Sequence, residues 1–193
     1  MFKVSVGGAP AQLFKLYLES VGRGACLLLN VPSDGRGLIT EYDSAALVDF
    51  KKIRAESFEN NLTKKGDGYF VSPKGMGLTK KLNDSEVATF ESVSNPHLQS
   101  MGIEFKRTTK INCVVLKENL IKGQHCIKFR LTLKNGKHQL IKEINGTTIG
   151  HKRILTFPAT EVNSIGLSID EQKGVTSVSE IEAYLINENL IEN

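Results

Sequence analysis

The chain has 193 residues, 40% of them hydrophobic and 24% charged, a composition that predicts a folded protein with room for one large domain or two small units. Its 25 basic and 21 acidic residues give a net charge of +4, and because the basic ones are scattered we expect no nucleic-acid partner. No apolar run reaches the ~20 residues of a membrane-spanning helix, and the start lacks the apolar core of a signal peptide, so we expect no membrane partner and no export signal.

The first 62 residues predict an α/β segment. Residues 11–21 place apolar side chains at helical spacing and end at Gly22, which suits a C-terminal cap. Residues 25–31, ACLLLNV, are almost continuously apolar, a pattern typical of a parallel strand covered on both faces. Thr40 followed by Asp43 predicts the start of a second helix. One αβα unit cannot close a core, so this strand is expected to have parallel neighbours.

The character of the sequence changes after residue 62. Residues 63–80 contain four glycines and a proline and predict a linker and first strand region. Residues 81–193 predict an antiparallel β-sandwich of the jelly-roll kind, because turns separate short β-rich runs throughout. The runs are residues 88–93, 102–106, 111–117, 126–133, 138–144, 153–157, 164–169 and 178–186. Strict alternation over residues 127–134, followed by Asn135-Gly136, predicts a β-hairpin.

Ten apolar residues are expected to form the core of the sandwich. They are Phe105, Val115, Leu116, Phe129, Leu131, Ile154, Phe157, Leu167, Ile169 and Ile181.

The three cysteines predict neither a metal site nor a disulfide framework. Their number is odd, and no CxxC or Cys/His spacing of a zinc site is present. Cys26, Cys113 and Cys126 all fall in apolar runs, where a free cysteine behaves as a small buried hydrophobe. A bridge between Cys113 and Cys126 across neighbouring strands is the alternative. We expect no metal ion and no cofactor.

Residues 13–54 resemble the end of the catalytic barrel in the α-L-fucosidase family of glycoside hydrolases. The resemblance lies in Tyr17, in Ser-Val-Gly-Arg at residues 20–23, in Leu-Leu-Leu-Asn-Val-Pro at 27–32, in Asp34, and in Gly-Leu-Ile at 37–39. It implies that the αβα segment is the remnant of a TIM-type (β/α) barrel.

The second part resembles that family's C-terminal domain, a galactose-binding-like sandwich related to discoidin. Three motifs carry this similarity: LKENLIKGQ at residues 116–124, GTTIGHKRI at 146–154 and VSEIEAYL at 178–185. We interpret Glu118 and Gln124 of the first motif as loop scaffolding.

The resemblance implies a retaining α-L-fucosidase that removes terminal L-fucose from glycans through a covalent intermediate on an aspartate. Such chemistry needs two carboxyl groups ~5 Å apart at barrel strand ends. In the family the nucleophile lies upstream of the Leu-Leu-Leu-Asn-Val-Pro strand, as do the His and Trp residues that hold fucose, and this chain has no Trp. We therefore assign no catalytic residue and expect no activity from this chain alone. The intact enzyme is expected to be periplasmic, secreted or lysosomal.

Asp34 and Arg36 are candidate contacts at the barrel rim. They follow the strand at residues 25–31, at the end where barrel enzymes place their chemistry. The alternative interpretation is a turn in which Asp34 bonds its own backbone beside an exposed arginine.

Four residues on sandwich loops are candidate sugar contacts: Asn95, His97, His151 and Arg153. Sugar sites combine an aromatic platform with side chains that hydrogen-bond hydroxyl groups. The alternative is that Asn95 with Pro96 starts a turn and that His151 and Arg153 only close a loop. Phe90 stands after Asp84 and Thr89, where the related domains lead us to expect Trp.

Two functions from different classes are open. In the first, the chain is the C-terminal region of an enzyme, works with an upstream catalytic polypeptide on a fucosylated glycan, and is itself structural. In the second, it is a stand-alone carbohydrate-binding module or non-catalytic subunit. The apolar strand with Leu27, Leu28 and Leu29 favours the first function. If no other part of an enzyme covered this strand, its exposed edge would lead to self-association of the chain.

Overall fold

A computed structural model describes residues 2–5 and 10–191, and the chain divides into two compact units. The first comprises Met1–Asn60 with Ile186–Asn193, and the second is Asn61–Leu185. Within the described residues, no helix combines the length and the apolar character that crossing a membrane requires.

The first unit is a βαβα arrangement. Its elements are β1 (Phe2–Ser5), α1 (Pro10–Ser20), β2 (Leu27–Asn30), α2 (Glu41–Ser57) and a 3₁₀ turn at Glu188–Leu190. β1 and β2 pair in parallel, so α1 is the crossover helix between them. The sequence predicted α1, β2 and α2 but missed β1, whose residues alternate in polarity as a strand does.

Aromatic contacts hold the two helices of this unit together. Tyr17 of α1 lies 6.2 Å, between ring centroids, from Phe14, from Phe50 of α2 and from Phe58. The predicted start of α2 is confirmed, because the Thr40 hydroxyl accepts a hydrogen bond from the Asp43 amide at 3.1 Å.

The second unit is mainly β, as the sequence predicted, and all its strand pairings are antiparallel. After a 3₁₀ turn at Leu62–Lys65 come β3 (Gly66–Ser72), β4 (Gly75–Thr79), β5 (Glu91–Val93), β6 (Ser100–Glu118), β7 (Cys126–Lys134), β8 (Leu140–Gly146), β9 (Arg153–Gln172) and β10 (Thr176–Tyr184). The glycine-rich residues 63–80 thus form the 3₁₀ turn and the β3–β4 hairpin.

Two long strands serve both layers of the sandwich. One layer has the order β4-β3-β6-β9-β7-β8, and β10 joins β5 to the second half of β6 in the other. The sequence predicted β6 and β9 as two strands each. Polar residues 106–110 interrupt the apolar pattern of β6, but they lie at a break in its register with β9, where a bulge lets a strand bend.

The ten residues predicted as core are all buried. Eight belong to one hydrophobic cluster shared by the two layers, whereas Val115 and Ile154 are buried outside it.

The cysteines differ from the prediction at one position. Cys113 and Cys126 are buried thiols, and burial raises the pKa of Cys126 to about 12. Cys113 pairs with residues of β9 and β10 and Cys126 with a different part of β9, so the bridge between them does not form. The expectation that Cys26 is buried is wrong: it lies just before β2 and is exposed.

The predicted β7–β8 hairpin is confirmed, with a five-residue loop rather than a two-residue turn. The Asn135 side-chain oxygen accepts hydrogen bonds from the amides of Lys137 and Gln139, at 2.9 and 3.0 Å. His138, and not Gly136, has the left-handed backbone conformation, with φ of 57°. The loop is therefore fixed by the Asn135 side chain.

Candidate functional site

The loops of residues 94–99, 119–125, 147–152 and 173–175 meet at one end of the sandwich, which we call the loop end. They meet because the strands that they connect begin or end at paired positions of the sheets. Thr176 pairs with Val93, and Cys126 pairs with Gln172. The last residue of β6, Glu118, pairs with Val178.

The Glu118 carboxylate connects three parts of the loop end. The residue is only 2% exposed. Its Oε1 accepts hydrogen bonds from the backbone amides of His125 and Cys126 at 2.8 and 3.1 Å, and its Oε2 accepts one from the Gly150 amide at 3.2 Å. The interpretation of Glu118 as loop scaffolding is confirmed.

A pocket of about 300 Å³ opens at the loop end. The residues that line it are Phe90, Ser92, Asn119, Ile121, Lys122, His125, Val175 and Ser177. Phe90 follows a tight turn in which the Thr89 hydroxyl donates to the Asp84 carboxylate at 2.7 Å. The half-buried His125 ring lies against Gly174, where a Cβ would come within 2.7 Å of its Cδ2 atom.

The polar groups of this loop-end pocket divide into two kinds. Asn119 is committed to the fold, because its Nδ2 donates to Val87 O at 2.9 Å and its Oδ1 accepts from the Ile121 amide at 3.1 Å. Lys122 and His125 present nitrogen donors beside one aromatic ring, while the Ser92 and Ser177 hydroxyls are hydrogen-bonded to each other at 3.2 Å. That combination can bind a small polar ligand such as a sugar.

The four predicted sugar contacts lie at the loop end but do not line the pocket. Asn95 and His97 are exposed on the 94–99 loop, where the Asn95 side-chain oxygen accepts a hydrogen bond from the His97 amide at 3.2 Å. His151 is exposed, and Arg153 is half-buried at the start of β9. The sequence missed Lys122 and His125 because only the pairing of distant strands brings them beside Phe90.

Asp34 and Arg36 form a self-contained turn after β2. The Asp34 carboxylate accepts hydrogen bonds from the Arg36 side chain at 2.8 Å and from the amides of Arg36 and Leu38 at 2.8 and 3.1 Å. These bonds, the Arg36 side chain first, lower the pKa of the Asp34 carboxyl. In this geometry Asp34 stabilises its own turn.

No group of three or more His, Cys, Asp or Glu residues suited to a metal ion occurs in the parts of the chain that the structure describes.

Two neighbouring carboxyls on β10 have different environments. Glu182 accepts from Lys117 Nζ at 2.6 Å and from the Tyr184 hydroxyl at 3.1 Å. Burial, followed by the charge of Glu182 and contact with Asp84, raises the pKa of Glu180 to about 7. The raised pKa means that Glu180 is protonated in the fold at acidic pH.

This raised pKa makes stability depend on pH. The contribution of Glu180 is fully present below its ordinary pKa of 4.5 and is lost as pH rises through about 7. We expect Glu180→Gln to raise the free energy of unfolding at pH 8 by on the order of 1–2 kcal/mol, after solvent screening, and to change it little at pH 4. Urea unfolding across this range measures it, with exposed Glu161→Gln as control. An equal effect of Glu180→Gln at both pH values would contradict the assignment.

No family model matches the chain. Among solved structures, a chitosan-binding module from a chitosanase/glucanase of Paenibacillus sp. IK-5 is 17% identical with a TM-score of 0.52, covering 64% of this chain and 97% of the module. This similarity shows a shared fold.

Fucosidases match almost the whole chain. Alpha-L-fucosidase 1 of Arabidopsis thaliana is 30% identical over 181 residues, which are 90% of this chain and 36% of that protein. A GH29 fucosidase variant of Ruminococcus gnavus, solved in complex with fucose, is 24% identical with a TM-score of 0.81, covering 95% of this chain and 38% of the other. The chain spans about a third of the length of the curated relatives that it matches.

These similarities define the chain as a relative of glycoside hydrolases. It belongs to the α-L-fucosidase family and corresponds to the C-terminal part of its members.

Proposed function

We propose that this chain is the C-terminal region of a retaining α-L-fucosidase that removes terminal L-fucose from glycans. The observation that carries the proposal is the match to Arabidopsis alpha-L-fucosidase 1 over 90% of the chain. The chain's own share is structural and sugar-contacting, and the catalytic carboxylates come from an upstream catalytic polypeptide.

The order β1-α1-β2-α2, with its parallel strands, supports the first part of this proposal. A (β/α) barrel is built from such units, so residues 1–62 are assigned as the barrel remnant. We assign residues 63–80 as the linker and first strand region and residues 81–193 as the galactose-binding-like sandwich with jelly-roll topology, although β3 pairs with β6 of the sandwich and Ile186–Asn193 group with the first unit.

The exposure of β2 supports a covering partner. Leu28 is 46% exposed, although an interior barrel strand buries both faces. Further barrel strands from the upstream polypeptide would cover it. Without these additional strands, the free edge of β2 would allow two copies of the chain to associate.

A sugar-contacting role rests on the loop end. Asn95, His97 and His151 lie on its loops and Arg153 lies at the start of β9, while Phe90, Lys122 and His125 supply a ring and nitrogen donors in its pocket. The barrel-rim candidates Asp34 and Arg36 would contact substrate only if their mutual ion pair, 2.7 Å long, opened.

The purified chain is expected to release no product from 4-nitrophenyl α-L-fucoside. A retaining glycosidase needs two catalytic carboxylates, and we place both in the upstream polypeptide. Absorbance of released nitrophenol measures this. Turnover by the chain that Asp34→Asn abolishes would overturn the division of labour proposed here.

A second candidate function is a stand-alone carbohydrate-binding module. The similarity to almost all of the Paenibacillus chitosan-binding module favours it. One observation separates the two functions. A stand-alone module binds sugar by itself and forms no active hydrolase with an upstream polypeptide, whereas the fucosidase region does form an active hydrolase with one.

A further inference from the structure

A cleft of about 550 Å³ lies on the outer face of the layer β4-β3-β6-β9-β7-β8, and we call it the Tyr69 cleft. Core residues such as Ile103 and Ile165 alternate with its lining residues, so the cleft faces away from the core. It shares no lining residue with the loop-end pocket and contains none of the residues singled out from the sequence.

The floor of the cleft is shaped to seat the Tyr69 ring. Tyr69 on β3 pairs with Gly102 on β6, which pairs with Gly166 on β9. A Cβ at Gly102 would come within 2.5 Å of the Tyr69 hydroxyl oxygen, and one at Gly166 within 3.4 Å. The phenol therefore lies across β6 and reaches β9, over two positions that have no side chain. Because Tyr69 is only half-buried, part of it faces the cleft.

One wall of the cleft is apolar. Val71 of β3 pairs with Met76 of β4, and Tyr69 pairs with Leu78. Met76 and Leu78 are 71% and 79% exposed, unusually high for large apolar side chains at a concave site. This wall offers contact to the C–H groups of a ligand that stacks on Tyr69.

The opposite side of the cleft is polar and balanced in charge. Asp67, Glu104, Ser164 and Lys134 form one row across four strands. Asp67 is paired with Lys80 at 3.1 Å, which leaves Glu104 and Lys134 as one acceptor and one donor of opposite sign. A balanced pair of this kind suits a ligand with many hydroxyls and no net charge.

His138 gives independent support for a site here. It lines the cleft with a left-handed backbone, φ of 57°, which few residues other than glycine adopt. The Asn135 side-chain oxygen accepts hydrogen bonds from the amides of Lys137 and Gln139, and its backbone carbonyl accepts one from the His138 amide, so the loop fixes this conformation.

We propose that the Tyr69 cleft binds a neutral pyranose sugar, with one face of the sugar ring stacked on Tyr69 and its hydroxyls bonded to Glu104, Lys134 and His138. The volume lies within the range of small-ligand sites, roughly 300–1,000 Å³. Burial, followed by the charge of Glu104, raises the pKa of Tyr69 to about 12. The chain thus has a sugar site on the sheet face in addition to the loop end.

The test is an amide NMR titration of the full chain with methyl α-L-fucoside, methyl β-galactoside and methyl N-acetyl-β-glucosaminide. At least one sugar is expected to shift the amides of Tyr69, Gly102 and Gly166. Tyr69→Ala should weaken that binding about tenfold or more, whereas Tyr69→Phe, which keeps the ring, should weaken it less. Phe90→Ala, in the loop-end pocket, should leave it unchanged.

Three results would overturn the proposal. The first is that none of the three sugars shifts the cleft amides at its solubility limit. The second is equal sugar affinity in wild type and in a folded Tyr69→Ala variant. The third is a set of cleft shifts that depend on protein concentration without sugar, which would indicate a contact between copies of the chain. Shifts confined to Phe90, Lys122 and His125 would also overturn it while supporting sugar contact at the loop end, so the two sites are judged separately.

Discussion

Replacing Glu118 by alanine is expected to destabilise the sandwich by about 3 kcal/mol, because three backbone amides lose the buried carboxylate that accepts their hydrogen bonds. The loss corresponds to a fall in melting temperature of roughly 10 °C for a unit of this size. Calorimetry measures it. The amides of His125, Cys126 and Gly150 should in addition exchange faster with solvent.

Glu118→Gln is the matched control for that variant. Its side-chain oxygen can still accept from His125 and Cys126, while its NH₂ group faces the Gly150 amide, so about half of the destabilisation is expected. If Glu118→Ala were as stable as wild type, water would be replacing the carboxylate, and the loop end would not depend on Glu118 for its shape.

Gly102→Ala is expected to cost about 3 kcal/mol or more, since a single methyl group has no room at this position. The Cβ would overlap the carbonyl oxygen of Ile165 on the adjacent strand, which cannot move without disturbing the β6–β9 hydrogen bonds. It would also displace the Tyr69 ring. Denaturant unfolding measures the loss, and near-ultraviolet circular dichroism reports the tyrosine.

Gly77→Ala provides the comparison for the same chemical change. Gly77 lies on the exposed strand β4, and a Cβ there would meet nothing within 4 Å, so stability should stay within ~0.5 kcal/mol of wild type. Similar losses in the two variants would contradict steric overlap as the cause at Gly102, since replacing glycine by alanine lowers the entropy of the unfolded chain and by itself favours folding.

Local patterns in the sequence were sufficient to predict the helices, the β7–β8 hairpin and the sandwich core. In the hairpin, strict alternation places Phe129, Leu131 and Leu133 on the buried face, and no distant residue is needed to predict this. The start of α2 is equally local, because Thr40 and Asp43 bond within one turn.

Features set by distant pairing could not be predicted in this way. Tyr69, Gly102 and Gly166 share a row only because β3, β6 and β9 lie side by side, and each glycine by itself looks like a turn signal. The continuity of β6 was missed for a similar reason, since the polar residues 107–110 between the two predicted runs suggest a loop but belong to β6, beside a break in its register with β9. Cys26 was expected to be buried because its run is apolar, yet burial depends on which elements cover the strand.

The long strands β6 and β9 also determine how the sandwich folds. Ser100 pairs with Ser168, and Val93 with Thr176, so these two contacts close loops of more than 60 residues. Pairings of that range slow folding to the order of milliseconds to seconds. Because each long strand belongs to both layers, neither layer is complete without the other. Native-state hydrogen exchange in the paired segments 100–104 and 164–168 should then proceed only through unfolding of the whole unit.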